Sequence, residues 1–110
     1  MEYNYPKQIQ MGGHVYDVEL VDRFALDPQA EAAGIQQYDS LRIKVCSLTQ
    51  HHEDKKLSVI EATLWHELVH AISYQYSLSL GEDTVDGLSQ GIQQVLSQLN
   101  IHLITESPTQ

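Results

Sequence analysis

An α+β fold, in which a small antiparallel sheet packs against two main helices, is predicted by three features of the sequence. Short runs that alternate apolar and polar residues fill the first half, and the second half repeats apolar residues at helical three- and four-residue steps. A hydrophobic content of 42% in 110 residues suffices for one core and argues against a disordered chain. We therefore expect one domain over 1–110, with flexible termini at 1–7 and 105–110.

The sheet is predicted to begin with a hairpin. Gly12-Gly13 separates the alternating runs 8–11 and 14–21, and successive glycines tolerate the positive φ angles of a two-residue turn. A third strand is expected at 41–46, whose core-facing residues are Leu41, Ile43 and Val45. The hairpin and this strand together make the predicted sheet.

The polar face of the third strand carries two cations, Arg42 and Lys44. Beside the hairpin, they would lie opposite the acidic pair Asp17 and Glu19. Each such exposed pair would stabilise the sheet by only about 0.2–1 kcal/mol.

Three helices are predicted. A short one spans 27–34, where a capping Asp and a Pro precede a terminal Gly. The second spans about 55–76, capped by Asp54 or Ser58, and the third spans 82–99 with Asn100 as its C-terminal cap. The apolar stripe of the second helix comprises Leu57, Ile60, Leu64, Leu68, Ala71 and Ile72. That of the third comprises Val85, Leu88, Ile92, Val95, Leu96 and Leu99.

Composition excludes several classes of protein. The formal net charge is −9, with only six Lys and Arg, so neither nucleic acid nor an anionic membrane is an expected partner. No apolar run approaches the roughly 20 residues that span a bilayer, and the N-terminus lacks the pattern of a signal peptide. The single cysteine, Cys46, is expected within the sheet or core. We expect a cytoplasmic protein.

One segment of the second helix indicates a chemistry. His66-Glu67-Leu68-Val69-His70 is a His-Glu-x-x-His motif, and residues four apart on a helix share one face. Two imidazoles can therefore be aimed at one metal ion, with the carboxylate of Glu67 beside it as a general base. The alternative is a pair of ordinary helix histidines without metal.

A catalytic zinc takes three protein ligands, so the motif requires one more. Acidic residues open the third helix at Glu82 and Asp83, and Asp86 lies four residues beyond Glu82. Acidic residues in a first helical turn also stabilise the helix dipole without any metal. Either Glu82 or Asp83 is a candidate for the third ligand.

With these residues the chain resembles the gluzincins, the thermolysin-like zinc peptidases. The resemblance implies that His66, His70 and Glu82 are zinc ligands, that Glu67 is the catalytic base, and that Asp86 hydrogen-bonds His66. It favours Glu82 over Asp83, because Asp86 then has the spacing found in that family. A nearby donor for the oxyanion is also implied, for which Tyr74, Tyr76 and His102 are candidates, and an edge strand for the substrate, matched here to 41–46.

The order of elements, from about Ile9 to Asn100, is similar to that of small phage- and prophage-encoded proteins with a minimal gluzincin fold. The chain lacks the second lobe and extended cleft of the larger gluzincins. The expected function is a zinc-dependent metallopeptidase-like activity, in which metal-activated water attacks a peptide carbonyl. Two alternatives are a non-catalytic, metal-stabilised phage or prophage module for assembly or host interaction, and a helical interaction domain without metal.

Overall fold

The chain has the predicted α+β architecture in a computed structural model, which describes residues 2–21, 34–37, 41–47 and 55–107. Six strands and two helices occur in these ranges. In chain order they are β1 (Tyr3–Asn4), β2 (Gln8–Met11), β3 (His14–Val21), β4 (Gly34–Gln37), β5 (Arg42–Cys46), α1 (Leu57–Gln75), α2 (Glu82–Gln98) and β6 (Thr105–Glu106).

The main sheet is mixed, with the strand order β2-β3-β5-β4. The predicted hairpin is present, but β5 runs parallel to β3. The reason is an additional strand, β4, which reverses the chain once more before β5 begins. The predicted cross-strand register is confirmed, since Arg42 lies opposite Asp17 and Lys44 lies opposite Glu19.

The helix predicted at 27–34 is wrong at its last residue, where strand β4 begins. Gly34, expected to end that helix, is instead the first residue of β4 and pairs with Val45. Residues 27–33 lie outside the described part of the chain. The strand escapes prediction because its four residues are too few to show a period-two pattern.

The hairpin turn packs against the end of α1. Gly12 and Gly13 have φ angles of +60° and +84°, as a type I′ turn requires. The Gly12 amide donates to the hydroxyl of Tyr76 at 3.1 Å, and the Gln75 side chain donates to the Tyr16 hydroxyl at 2.8 Å. These bonds hold the C-terminal end of α1 against the sheet.

Both long helices are present and end in the same way. At the end of α2, Asn100 has a φ of +59°, and the amide of Ile101 donates to the carbonyl of Leu96. This is a Schellman motif, which confirms Asn100 as the predicted C-terminal cap. At the N-terminal end of α1, the N-cap residue is Lys56, and no side chain makes a capping hydrogen bond there. Ser58 therefore does not cap the helix, and Asp54 is outside the described residues.

The core lies between α1 and the sheet. The predicted stripe of α1 is confirmed: Ile60, Leu64, Leu68 and Ala71 are buried, and Leu57 and Ile72 are partly buried against them. From the sheet come Met11, Tyr16, Val18, Ile43 and Val45. Cys46 is also buried, as predicted. Neither described helix combines the length and hydrophobicity that a bilayer crossing needs.

The stripe predicted for α2 is only partly covered. Val85 is fully buried, whereas Leu88, Val95 and Leu99 are 45%, 58% and 63% exposed. Ile92 and Leu96 are partly buried, so three of the six residues of the predicted stripe are exposed in the described part of the fold. The reason is that, among the described elements, α2 packs chiefly against α1.

The two chain ends meet. Tyr3–Asn4 pairs antiparallel with Thr105–Glu106, within the segments 1–7 and 105–110 that the sequence suggests as flexible termini. The carboxylate of Glu61 on α1 accepts hydrogen bonds from the amides of Leu103 and Ile104, at 2.7 and 3.1 Å. The segment that follows α2 is thereby attached to α1.

Candidate metal centre

Two histidines of α1 meet over the side of the helix that faces α2. His66 and His70 are one turn apart, and their Nε2 atoms are 3.2 Å from each other. Two nitrogens bound at about 2.05 Å to one tetrahedral ion would be separated by about 3.3 Å. The pair is therefore already spaced as two ligands of a single ion.

Glu82, at the first position of α2, completes a group of three. Its Oε1 lies 2.7 Å from Nε2 of His66 and its Oε2 lies 3.0 Å from Nε2 of His70. The candidate ligand atoms of the three residues all lie within 4.8 Å of one another. Of the two acidic residues at the start of α2, Glu82 contacts the histidines, whereas Asp83 is exposed and does not belong to the group.

Asp86 lies one turn further along α2 and contacts the other nitrogen of His66. Its Oδ1 is 2.9 Å from Nδ1 of His66. A neutral imidazole has one N–H, and donating it to Asp86 leaves a lone pair on Nε2. The carboxylate therefore determines which nitrogen of His66 faces Glu82 and His70.

The hydrogen bond of His66 to Asp86 bears on whether these residues could hold a metal ion. With Nδ1 of His66 donating to Asp86, its Nε2 directs a lone pair at a Glu82 oxygen only 2.7 Å away. Such an arrangement is repulsive unless a proton or a metal ion lies between the two atoms. Two imidazole nitrogens and a carboxylate, with a carboxylate behind one imidazole, are ligands that zinc commonly takes. The residues present fit the ion.

Glu67 lies between the core stripe of α1 and the two histidines. At 100° per residue it is about 60° from both Leu64 on one side and His70 on the other. Its side chain is consequently buried. Burial raises the pKa of the Glu67 carboxyl above its ordinary value of 4.5; the nearby His66 and His70 oppose this rise, and Glu82 adds to it. A carboxyl with a raised pKa accepts a proton more readily than an ordinary glutamate does.

The three candidate oxyanion donors have different surroundings. Tyr74 is beside His70 in the wall of a cleft of about 370 Å³, lined by His70, Ser73, Tyr74, Ser77, Ser79 and Leu80. Tyr76 accepts the Gly12 amide at the hairpin turn. His102 is 3.6 Å from Glu61, more than one helical turn before His66 on α1. Of the three, only Tyr74 lines a cleft next to the metal centre.

The strand matched to substrate binding is not at an edge. β5, the strand predicted at 41–46, lies between β3 and β4, so its backbone groups are paired on both sides. Among the strands that the structure describes, the edges of the main sheet are β2 and β4, and β4 contacts α1. The proposed role of 41–46 as an edge strand is therefore wrong, because β4 covers it.

Sequence reasoning missed two features of this region. One is the buried carboxylate of Glu61, which no motif distinguishes from an exposed helix glutamate. The other is the group of serines in the cleft beside His70, which the alternation of Ser and Leu at 77–80 could have indicated. Comparison of the chain with protein families, curated proteins and solved structures finds no match.

Proposed function

We propose that the protein is a zinc-dependent, peptidase-like hydrolase of minimal gluzincin type, acting in the cytoplasm of a bacterial or phage-infected cell. The observation that carries the proposal is the convergence of His66, His70 and Glu82, together with the buried Glu67 that interacts electrostatically with all three. Zinc supplies a Lewis acid and lowers the pKa of bound water to about 7. The fit of the ligand set, together with the His-Glu-x-x-His motif, supports this function.

Each residue has a defined part. His66, His70 and Glu82 bind the ion, and Asp86 orients His66 and increases its basicity. Glu67 takes the proton of the attacking water, since its carboxyl has a raised pKa and lies one residue from His66. Tyr74, which lines the neighbouring cleft, is the residue that we assign as hydrogen-bond donor to the carbonyl oxygen. An extended substrate could pair with β4, which contacts α1 and is an edge strand among the described strands.

The ligand set is tested by measuring metal content. Purified protein should contain one zinc per chain, and both His70→Ala and Glu82→Ala should lose it. Asp83→Ala is the matched control, because it removes an acidic residue from the same helical turn and should keep the metal. Retention of zinc in Glu82→Ala with loss in Asp83→Ala would contradict the assignment.

A second function is favoured by the way α2 is attached. On α2 only Val85 and Ser89 are buried, whereas Glu82 at its start contacts both His66 and His70 of α1. A metal ion bound there would hold α2 on α1 even without catalysis. A non-catalytic, metal-stabilised module of a phage or prophage is therefore the alternative.

Glu67→Gln separates the two functions. It removes the base while keeping the size of the side chain, and none of the three proposed ligands is changed. If the protein is a hydrolase, zinc-loaded Glu67→Gln should retain zinc and lose cleavage of a peptide library by at least about 100-fold. If wild type cleaves no peptide and Glu67→Gln behaves like wild type in these assays, the hydrolase proposal fails and the non-catalytic module is supported.

A further inference from the structure

The side of α2 turned away from α1 carries apolar residues that the described part of the fold does not cover. Leu88, Val95 and Leu99 are about half exposed or more. Leu88 and Val95 belong to the lining of a shallow depression of about 420 Å³, which comprises Gly87, Leu88, Gly91, Ile92, Val95 and Leu96. We name the residues Gly87, Leu88, Gly91, Val95 and Leu99 the α2 outer face.

Glycine forms the depression. A Cβ built on either Gly87 or Gly91 meets nothing within 4 Å, so no neighbour within the described chain requires glycine there. Glycine in a helix interior is destabilising relative to alanine, because it loses more conformational freedom on folding. The two stand four residues apart, on the same side of the helix. Together they leave a dent where a second helix could approach closely.

Small and large residues follow one another on this face in a self-complementary order. Gly87 and Gly91 are succeeded by Val95 and Leu99 at the same four-residue spacing. In an antiparallel pair of identical helices, Gly87 of one copy lies opposite Leu99 of the other, and Gly91 lies opposite Val95. We propose that the α2 outer face packs antiparallel on that of a second copy of this chain, forming a two-fold symmetric dimer.

Charge supports a second copy as the occupant. The stretch from Gly87 to Ile101 contains no charged residue, although the chain carries a formal net charge of −9. Two copies repel each other, so they can approach closely only through a neutral face. A partner selected by its charge would find nothing to pair with here. Antiparallel packing also places opposite ends of the helix dipoles side by side.

The dimer should be weak. A helix of 17 residues is about 25 Å long and about 10 Å wide. A strip of this size falls short of the roughly 800 Å² per partner that stable complexes bury. We therefore expect a dissociation constant on the order of tens of micromolar.

Sedimentation equilibrium of the full chain, from about 5 to about 500 µM, tests the dimer. The average mass should rise from monomer toward dimer, and more salt should strengthen association because it screens the repulsion between acidic copies. Val95→Glu should weaken association at least tenfold. Gln90→Glu is the control: it adds the same charge to α2, on the side that lines a groove against α1, and should weaken association far less.

A residue swap tests the antiparallel register. Gly91→Val places valine against Val95 of the other copy, and Val95→Gly leaves a void, so each change alone should weaken the dimer. The double variant Gly91→Val, Val95→Gly restores a small residue opposite a large one and should recover most of the affinity. Circular dichroism confirms that each variant keeps its helices. A wild type that stays monomeric at the highest concentration, or a double variant no better than the single ones, overturns the proposal.

Discussion

The Oδ1 atom of Asp86 lies 2.9 Å from Nδ1 of His66, so a carboxylate on α2 orients an imidazole on α1. It also selects which ring nitrogen faces His70 and Glu82. Although Asp86 is not among the three candidate ligands, it connects the two helices at the candidate metal centre. The contribution of Asp86 to zinc affinity can be separated experimentally from that of a ligand.

Asp86→Ala should lower zinc affinity about 10- to 100-fold without abolishing binding, because the three ligands remain while His66 loses its orienting acceptor. Competition against a chelator of known affinity measures this change. Asp83→Ala removes a neighbouring carboxylate with no contact in the group, and its affinity should stay close to wild type. Equal losses in both variants would mean that the overall negative charge, and not the hydrogen bond to His66, determines affinity.

Removing zinc should lower the melting temperature. At a free zinc concentration about 100 times the dissociation constant, binding adds about 2.7 kcal/mol to the free energy of unfolding. For a domain of this size, that corresponds to roughly 10–20 °C. Thermal unfolding with and without a chelator measures it. His70→Ala should abolish the response, whereas the exposed His14→Ala should keep it; a response that persists in His70→Ala would place the metal elsewhere.

Glu67 should make the metal-free protein less stable as the pH rises. Its pKa is raised in the folded state, chiefly by burial, so the folded protein holds this proton more tightly than the unfolded chain does. Its stabilising contribution is complete below the unfolded pKa and is lost as the pH rises through the folded pKa. In metal-free protein, Glu67→Gln should therefore gain stability over wild type from acidic to neutral pH.

Urea unfolding at a series of pH values measures that difference. Glu106→Gln is a suitable control, since it makes the same change at an exposed position on β6. A difference between Glu67→Gln and wild type that shrinks toward neutral pH would contradict the raised pKa.

Glu61→Ala should destabilise the attachment of the segment after α2. The variant leaves the amides of Leu103 and Ile104 without their acceptor, at a cost of about 2–4 kcal/mol. Hydrogen exchange at these two amides should accelerate more than exchange in the middle of α1. Glu106→Ala should change neither quantity; unchanged protection of the Leu103 and Ile104 amides in Glu61→Ala would show that the carboxylate does not hold this segment.

Much of the candidate site was predictable because its parts are local. The distance between His66 and His70 follows from helix geometry, since residues four apart share a face whatever the helix packs against. The same rule relates Glu82 to Asp86. That Glu82 rather than Asp83 reaches the histidines depends on the rotation of α2 about its own axis, which its neighbours determine.

The fold was predictable to a lesser extent. Alternation placed Ile43 and Val45 in the core, and the glycine pair marked the hairpin. Alternation is the same for parallel and antiparallel pairing, so it could not show that β5 runs parallel to β3. Alternation also could not reveal β4. This strand pairs with β5, so β5, which the resemblance matched to substrate binding, is an interior strand.

The His-Glu-x-x-His segment illustrates which features the sequence determines and which depend on tertiary structure. Its spacing along α1 is enough to assign two candidate ligands and a base, because periodicity is a property of the backbone. Three other features depend on how α2 and the sheet pack against α1. They are the contact of Glu82 with the two histidines, the burial that raises the pKa of Glu67, and the exposure of Val95 and Leu99. Docking joins residues distant in the chain, and no local pattern encodes the distance between them.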